Sequence, residues 1–183
     1  MNMMEKRIAL GEKGSQLWTR DLAKEIRVGV DAAFEALPEG GVIVIDAADV
    51  EVFDFSFANE LFGKTLLRLS SEYQGRFVVV TGLKEYTRVN LNEALKSLGL
   101  TMIERKGKSL LLIGKVHPTD LETFRAVASA KGPVSATALG EKLEVALTAM
   151  NERLTKLAKL GLVRRRPAVS AAGREQYEYT VLE

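Results

Sequence analysis

The chain has 183 residues, no cysteine and one histidine, with 26 basic and 24 acidic side chains. Without cysteine there are no disulfides, thiolate metal sites or cysteine nucleophiles, and His117 alone cannot build a histidine metal cluster or a Ser-His-Asp triad. At 46% hydrophobic and 27% charged, the composition is that of a globular protein long enough for one large domain or two small ones. No apolar run approaches the ~18 residues of a membrane span, and the opening MNMMEKRIALGEKG lacks the apolar core of a signal peptide. A cytoplasmic protein with no membrane partner is expected.

The first two-thirds alternates strands and helices. Residues 7–10 read as a short strand. Thr19 is a candidate N-cap, followed at helical spacing by Leu22, Ile26, Val30, Ala33 and Leu37, and Pro38 with Gly40-Gly41 ends that helix. GVIVID (residues 41–46) is a continuous apolar run, the pattern of a strand covered on both faces. A helix beginning near Ser56 turns Phe57, Leu61, Phe62, Thr65, Leu66 and Leu69 inward. RFVVVTG (76–82) is a strand, residues 86–98 a helix closed by Gly99, and 100–104 and 109–113 strand material. Short strand–helix units of this kind predict a mainly parallel sheet flanked by helices.

After Gly114 the pattern changes. VHPTD (116–120) reads as a linker, with Thr119 or Asp120 capping the next helix. Three helices (121–130, 136–143, 145–160) and two strands (162–166, 176–182) follow, joined by a small-residue loop with Gly173. Val134, Leu139 and Leu143 are expected to bury the second helix, and Leu147, Met150, Leu154 and Leu157 form the inward stripe of the third. Gly161 allows the positive backbone angle that ends it. Two domains are expected, 1–115 and 116–183.

VIVIDAADVEVFDFSFANELFGK (42–64) joins a buried strand ending in Asp46 to an amphipathic helix opened by Asp54-Phe55-Ser56. On residue chemistry alone, Asp54 or Ser56 caps that helix. The stretch also resembles the STAS domain of anti-sigma factor antagonists, and more closely STAS-like domains with an S-F-A-x-E helix start, matched by Ser56 to Glu60. The WTRDLAKEIR helix and RFVVVTG strand fall in the order that resemblance requires. It implies a mixed sheet flanked by helices and a kinase or anti-sigma-like partner. It also implies phosphorylation at Ser56, on a partner surface with Asp54 and Phe57, where Phe57 replaces the family's glycine. Phe53, Phe55, Phe57 and Phe62 fall within ten residues, and an exposed apolar patch among them is one expected dimer surface. The helix at 121–130 is the other.

The charges are unevenly spread. Residues 1–115 hold sixteen basic and sixteen acidic side chains, whereas from Arg153 to Arg174 there are seven basic residues and no acid. SATALGEKLEVALTAMNERLTKLAKLGLVRRR (135–166) looks like bacterial winged-helix regulators, whose recognition helix ends in L-x-x-L-x-x-x-G-L-V-x-R. That resemblance implies a third helix in the major groove of double-stranded DNA and a hairpin wing against the backbone. Thr148, Asn151, Arg153, Lys156, Lys159, Arg164, Arg165, Arg166 and Arg174 are then the candidate DNA contacts. Asn151 suits adenine, and Thr148 a thymine methyl or a phosphate.

No chemistry of another kind stands out. The glycine turns at 11–14 and 38–41 lack a P-loop lysine or a dinucleotide fingerprint, so no cofactor is implied. Asp46, Asp49, Glu51 and Asp54 share one loop, read as solvated rather than as a cation site. With no nucleophile–base pair, no enzymatic activity is expected. The expected function is a homodimeric, DNA-binding transcriptional regulator with a STAS-like sensing or interaction domain. The alternative is a partner-switching module whose winged helix makes protein contacts.

Overall fold

The structure, a computed structural model, describes residues 4–182, so Met1 to Met3 and Glu183 lie outside the described residues. The chain divides into two compact units, Met1–Val116 and His117–Glu183.

In the first unit a five-stranded sheet runs in the order β1-β3-β5-β6-β7. Strands β1 (Glu5–Ala9), β3 (Val42–Asp46), β5 (Phe77–Thr81) and β6 (Thr101–Lys106) are parallel, and β7 (Ser109–Gly114) returns antiparallel to β6. The apolar runs of β3 and β5 take the central places, where both sheet faces are covered. A small parallel pair, β2 (Gln16–Leu17) with β4 (Val52–Phe53), lies apart from the main sheet in the hydrogen-bond ladder.

Helix α1 (Arg20–Ala36) starts where the Thr19 hydroxyl accepts from the Leu22 N–H. Asp54, rather than Ser56, caps α2 (Phe55–Ala58), its carboxylate accepting from the Phe57 N–H at 2.7 Å. The chain continues through a π-helical turn (Asn59–Gly63) into α3 (Lys64–Glu72), and α4 (Glu85–Ser97) completes the unit. The expected phenylalanine patch is not there. Phe53, Phe57 and Phe62 are fully buried and pack ring on ring at 5.6 and 5.7 Å between centroids, leaving Phe55 as the one exposed member.

The π turn carries Glu60, only 2% exposed, onto Lys64 at 2.6 Å and Arg27 at 3.4 Å. Arg27 and Arg68 also meet Asp31, so an alternating charge network ties α1 to α3. Burial alone would push the Glu60 carboxyl up, but the Lys64 and Arg27 charges outweigh it and hold it below the usual carboxylate range.

The second unit begins with α5 (Pro118–Ala128). Its N-cap is His117, with Pro118 in the first turn, so neither Thr119 nor Asp120 caps it. Proline fits there because its fixed φ suits a helix start and its missing N–H would have no partner anyway. The acidic side chain of Asp120 turns inward instead and is buried. Strand β8 (Val134–Ser135), α6 (Ala136–Leu143), α7 (Leu147–Lys159), β9 (Arg164–Val169) and β10 (Glu175–Thr180) follow, with the strands in the order β8-β10-β9. Phe124, Val127, Leu139, Met150, Leu154, Leu157, Leu162, Val163 and Tyr179 fill the core. Val134 and Leu143 are only half buried. Gly161, at φ 69°, turns the chain out of α7 as its sequence position suggests.

The α6–α7 corner is tight. Glu144 sits at φ 55°, the single non-glycine residue with positive φ among the described residues, and the Val145 N–H returns to the Gly140 carbonyl at 2.9 Å. A Cβ on Gly140 would stand 2.8 Å from the Val145 carbonyl oxygen. The corner delays α7 to Leu147, two residues later than its apolar periodicity suggests. Leu147 is thus the first residue of α7, at the end of the inward stripe where little core is left to cover it, and it is 50% exposed.

Two stability outcomes follow from these contacts. Alanine usually improves on glycine in a helix by about 1 kcal/mol. Gly140→Ala should instead destabilise the C-terminal unit by about 1–3 kcal/mol, because the clash is with backbone; urea melts followed by circular dichroism check the sign. Glu60→Gln should cost about 2 kcal/mol at neutral pH, as a charge-assisted bond is lost in a buried place. A lowered carboxyl pKa stabilises above its unfolded value, and that gain disappears as pH falls through the folded value. The difference between Glu60→Gln and wild-type melts should therefore shrink below the ordinary carboxylate range.

Candidate functional site

The corner between α6 and α7 leaves one face of α7 uncovered. Met150, Leu154 and Leu157 point inward at three- and four-residue spacing, so Thr148, Asn151, Glu152 and Lys159 stand exposed on the other side, with Thr155 half buried among them. The β9–β10 hairpin runs out from the same unit beyond Gly161. Its tip, residues 170–173, is closed by the Gly173 N–H on the Ser170 carbonyl at 2.8 Å.

The seven cations between Arg153 and Arg174 have different fates. Lys156 reaches the buried Asp120 carboxylate at 2.7 Å, and Arg153 reaches Glu122 at 2.9 Å. Both acids lie on α5, which packs against α7. The acid-free stretch of sequence is thus neutralised in part from thirty residues upstream, contrary to its expected role as a block of free charge.

Arg164 is the clearest correction. It occupies the first rung of the hairpin, opposite Thr180, and is 6% exposed between the buried core and the ladder. It belongs to the base of the hairpin and cannot serve as a surface DNA contact. Arg165 is exposed, with its guanidinium carbon 3.5 Å from the centroid of the Tyr177 ring. The two are diagonal neighbours across the β9–β10 ladder, where a long side chain can lie over a ring.

Lys159, Arg166 and Arg174 are exposed and make no ion pair among the described residues. Arg166 has Glu178 as its cross-strand partner in register. Of the nine candidate contacts, Thr148, Asn151, Lys159, Arg165, Arg166 and Arg174 are exposed. Asn151 and Arg174 share the cleft between α7 and the hairpin, and Thr148 and Lys159 lie with Asn151 along α7. Arg165 and Arg166, consecutive in β9, face opposite sides of the hairpin. Arg153 and Lys156 are held toward α5, and Arg164 is withdrawn.

The sequence reading missed an apolar component of this surface. Leu147, Val169 and Tyr177 are the three large hydrophobic residues of the second unit that stand well exposed, and all three line one cleft between the start of α7 and the hairpin. Period counting had assigned Leu147 to the core. The alternation of β9 and β10, with Val169 two positions beyond Pro167 and Tyr177 opposite it, was the available signal for the other two.

In the first unit, Asp54 is committed to its cap, Ser56 is half buried and Phe57 is in the core. Phe57 therefore cannot form part of a partner surface. Asp46 accepts from Arg7 at 2.8 Å and from the Ala48 N–H at 3.0 Å, and Glu51 pairs with Lys84. Among the described residues, no group of three or more His, Cys, Asp or Glu side chains is placed to hold a metal ion, and no helix is long and apolar enough to cross a membrane. The second expected dimer surface, around α5, also changes character, because Phe124, Ala126 and Val127 are spent in the unit's own core.

No protein-family model and no curated protein matches the chain. Among solved structures, it is similar to a chain described as a "Possible transcriptional regulator from Methanosarcina mazei Go1", at 16% identity and a TM-score of 0.34. That similarity covers 37% of this chain and 57% of the other.

Proposed function

We propose that the chain is a DNA-binding transcriptional regulator whose C-terminal unit is a winged helix and whose N-terminal unit is a STAS-like sensing or interaction domain. The observation that carries the reading is the polar, exposed face of α7 beside a hairpin bearing Arg165, Arg166 and Arg174. Charge supports it too. The N-terminal unit is balanced, so the formal net charge of +2 resides in residues 117–183.

In this reading α7 enters the major groove, and Arg166 and Arg174 of the hairpin with Lys159 meet phosphates, while Arg165 stays on the Tyr177 ring. Asn151 offers the paired donor and acceptor that suit adenine. Each copy brings few cations, so two copies reading two half-sites give the affinity a single unit lacks. The STAS-like reading rests on the Val42-to-Phe57 passage from central strand through capped turn to helix, with Ser56 in the first turn. A kinase or anti-sigma-like protein would meet that edge, and a phosphate on Ser56 would add nearly two negative charges to it.

The test is binding of full-length protein to duplex DNA over a range of salt. Each bound copy makes three phosphate contacts, from Lys159, Arg166 and Arg174, which correspond to a slope of log K against log salt near about −3 per copy. Arg166→Ala with Arg174→Ala should lower affinity and bring the slope to about −1 per copy. Arg164 is left intact because its loss would disturb the hairpin base. Absence of salt-sensitive binding by the wild type would defeat the proposal, and sedimentation with and without DNA reads the number of copies.

A further inference from the structure

Soluble proteins scatter single exposed hydrophobic residues, and such residues need no explanation. The second unit does not scatter them. Leu147 is 50%, Val169 68% and Tyr177 45% exposed, and all three face one cleft whose walls are the start of α7 and the hairpin. Arg174, Glu141 and Glu175 line the same cleft, so it carries charge of both signs and its distinguishing feature is apolar, and the Arg165 guanidinium stacks on the Tyr177 ring. Such a cleft fits a surface that presents hydrocarbon groups among polar ones.

Duplex DNA has that character in the major groove. The C5 methyl of thymine is the one hydrocarbon group a base pair presents there, and phosphates line both sides. The first residues of a groove-binding helix are the ones that meet base edges. Here the first residue of α7 is Leu147. Asn151 follows one turn later and lines the cleft with Leu147.

The first turn of α7 itself carries no arginine, and the cleft's one arginine, Arg174, comes from the hairpin. Arginine is the commonest specific partner of guanine. The one arginine on α7, Arg153, is only partly exposed and tied to Glu122.

We infer that Leu147 is a specificity-determining residue that reads thymine methyl groups, giving the α7 end of the cleft a preference for A·T pairs over G·C pairs. This rests on the DNA-binding reading above and goes beyond it. Contact between Leu147 and a methyl removes apolar surface from water on both sides, worth roughly a fourfold change in affinity per methyl buried. Removing the methyl leaves every hydrogen-bonding group of the base pair in place, so the effect separates from polar readout.

The probe is the duplex that survives selection from a random-sequence pool with the full-length protein. It is prepared once with thymine and once with deoxyuridine on both strands. Wild type should bind the thymine duplex at least roughly fourfold tighter. Leu147→Ala should bind both forms alike, because no side chain remains to feel the methyl. Leu147 is half exposed and outside the core, so this substitution leaves folding intact, and circular dichroism verifies it. Leu147→Val, retaining a branched apolar side chain, should restore part of the difference.

Three results would overturn the inference while leaving DNA binding in place. These are equal binding of both duplexes by wild type, a thymine preference that persists in Leu147→Ala, and selection of duplexes without thymine. A pool from which the protein retains no duplex at low salt would overturn both the inference and the reading beneath it.

Discussion

The second unit depends on how closely two stretches of backbone approach at the α6–α7 corner. The Val145 carbonyl oxygen passes so near Gly140 that any side chain there would lie inside normal contact distance. The Val145 N–H closes the corner on the Gly140 carbonyl, and Glu144 takes up the left-handed conformation this demands. With the corner fixed, α7 starts at Leu147 and turns Met150, Leu154 and Leu157 into the core, leaving its other face bare. Gly161 then sends the chain into β9, and the hairpin emerges beside that bare face. Both halves of the candidate surface follow from one tight turn and one glycine.

Charge is arranged by the same packing. A buried carboxylate such as Asp120 is costly to desolvate without a partner, and Lys156 supplies it from α7. Glu122 does the same for Arg153 at the surface, where such a pair contributes little to stability. Those pairings stitch α5 to α7 and subtract from the free charge available to a partner. What remains without an ion pair is a small set of cations on the hairpin and at the end of α7. Local stereochemistry shapes even that set, since Arg165 lies on the Tyr177 ring.

Periodicity made most of the fold legible. The unbroken apolar runs of β3 and β5 announce central strands, Thr19 announces a helix start, and Leu162-Val163 after Gly161 announces a turn into a strand. What it could not reveal were interactions between residues distant in sequence. The acids that neutralise Lys156 and Arg153 stand some thirty positions away, so a window over residues 153–174 sees only positive charge. The burial of Arg164 is another case, because the triple arginine looks uniform while the ladder places its first member at the hairpin base and the other two beyond it. Leu147 keeps the phase of the inward stripe yet is half exposed, because a 3.6-residue period gives a side chain's direction and not how far along the helix the core extends. The four phenylalanines between 53 and 62 exceed what one helix face buries. The β2–β4 pair and the π turn provide the additional inward directions that an even helical period does not contain.

The two units also differ in what their charges accomplish. In the first, Glu60, Arg27, Asp31 and Arg68 alternate in sign and pair with one another, with Glu60 almost completely withdrawn from water and Arg27 Nε and Asp31 Oδ1 buried without a hydrogen bond. Breaking one member strands the others, so such a network favours a single arrangement of α1 against α3 over gross stability. In the second unit, Lys159, Arg166 and Arg174 make no ion pair among the described residues, although Glu178 stands opposite Arg166 on the ladder, and their charges stay hydrated at the surface. Charge that is internally paired fixes a shape, whereas charge left without an ion pair stays hydrated at the surface of the second unit, where Arg174 lines the cleft that Leu147, Val169 and Tyr177 share.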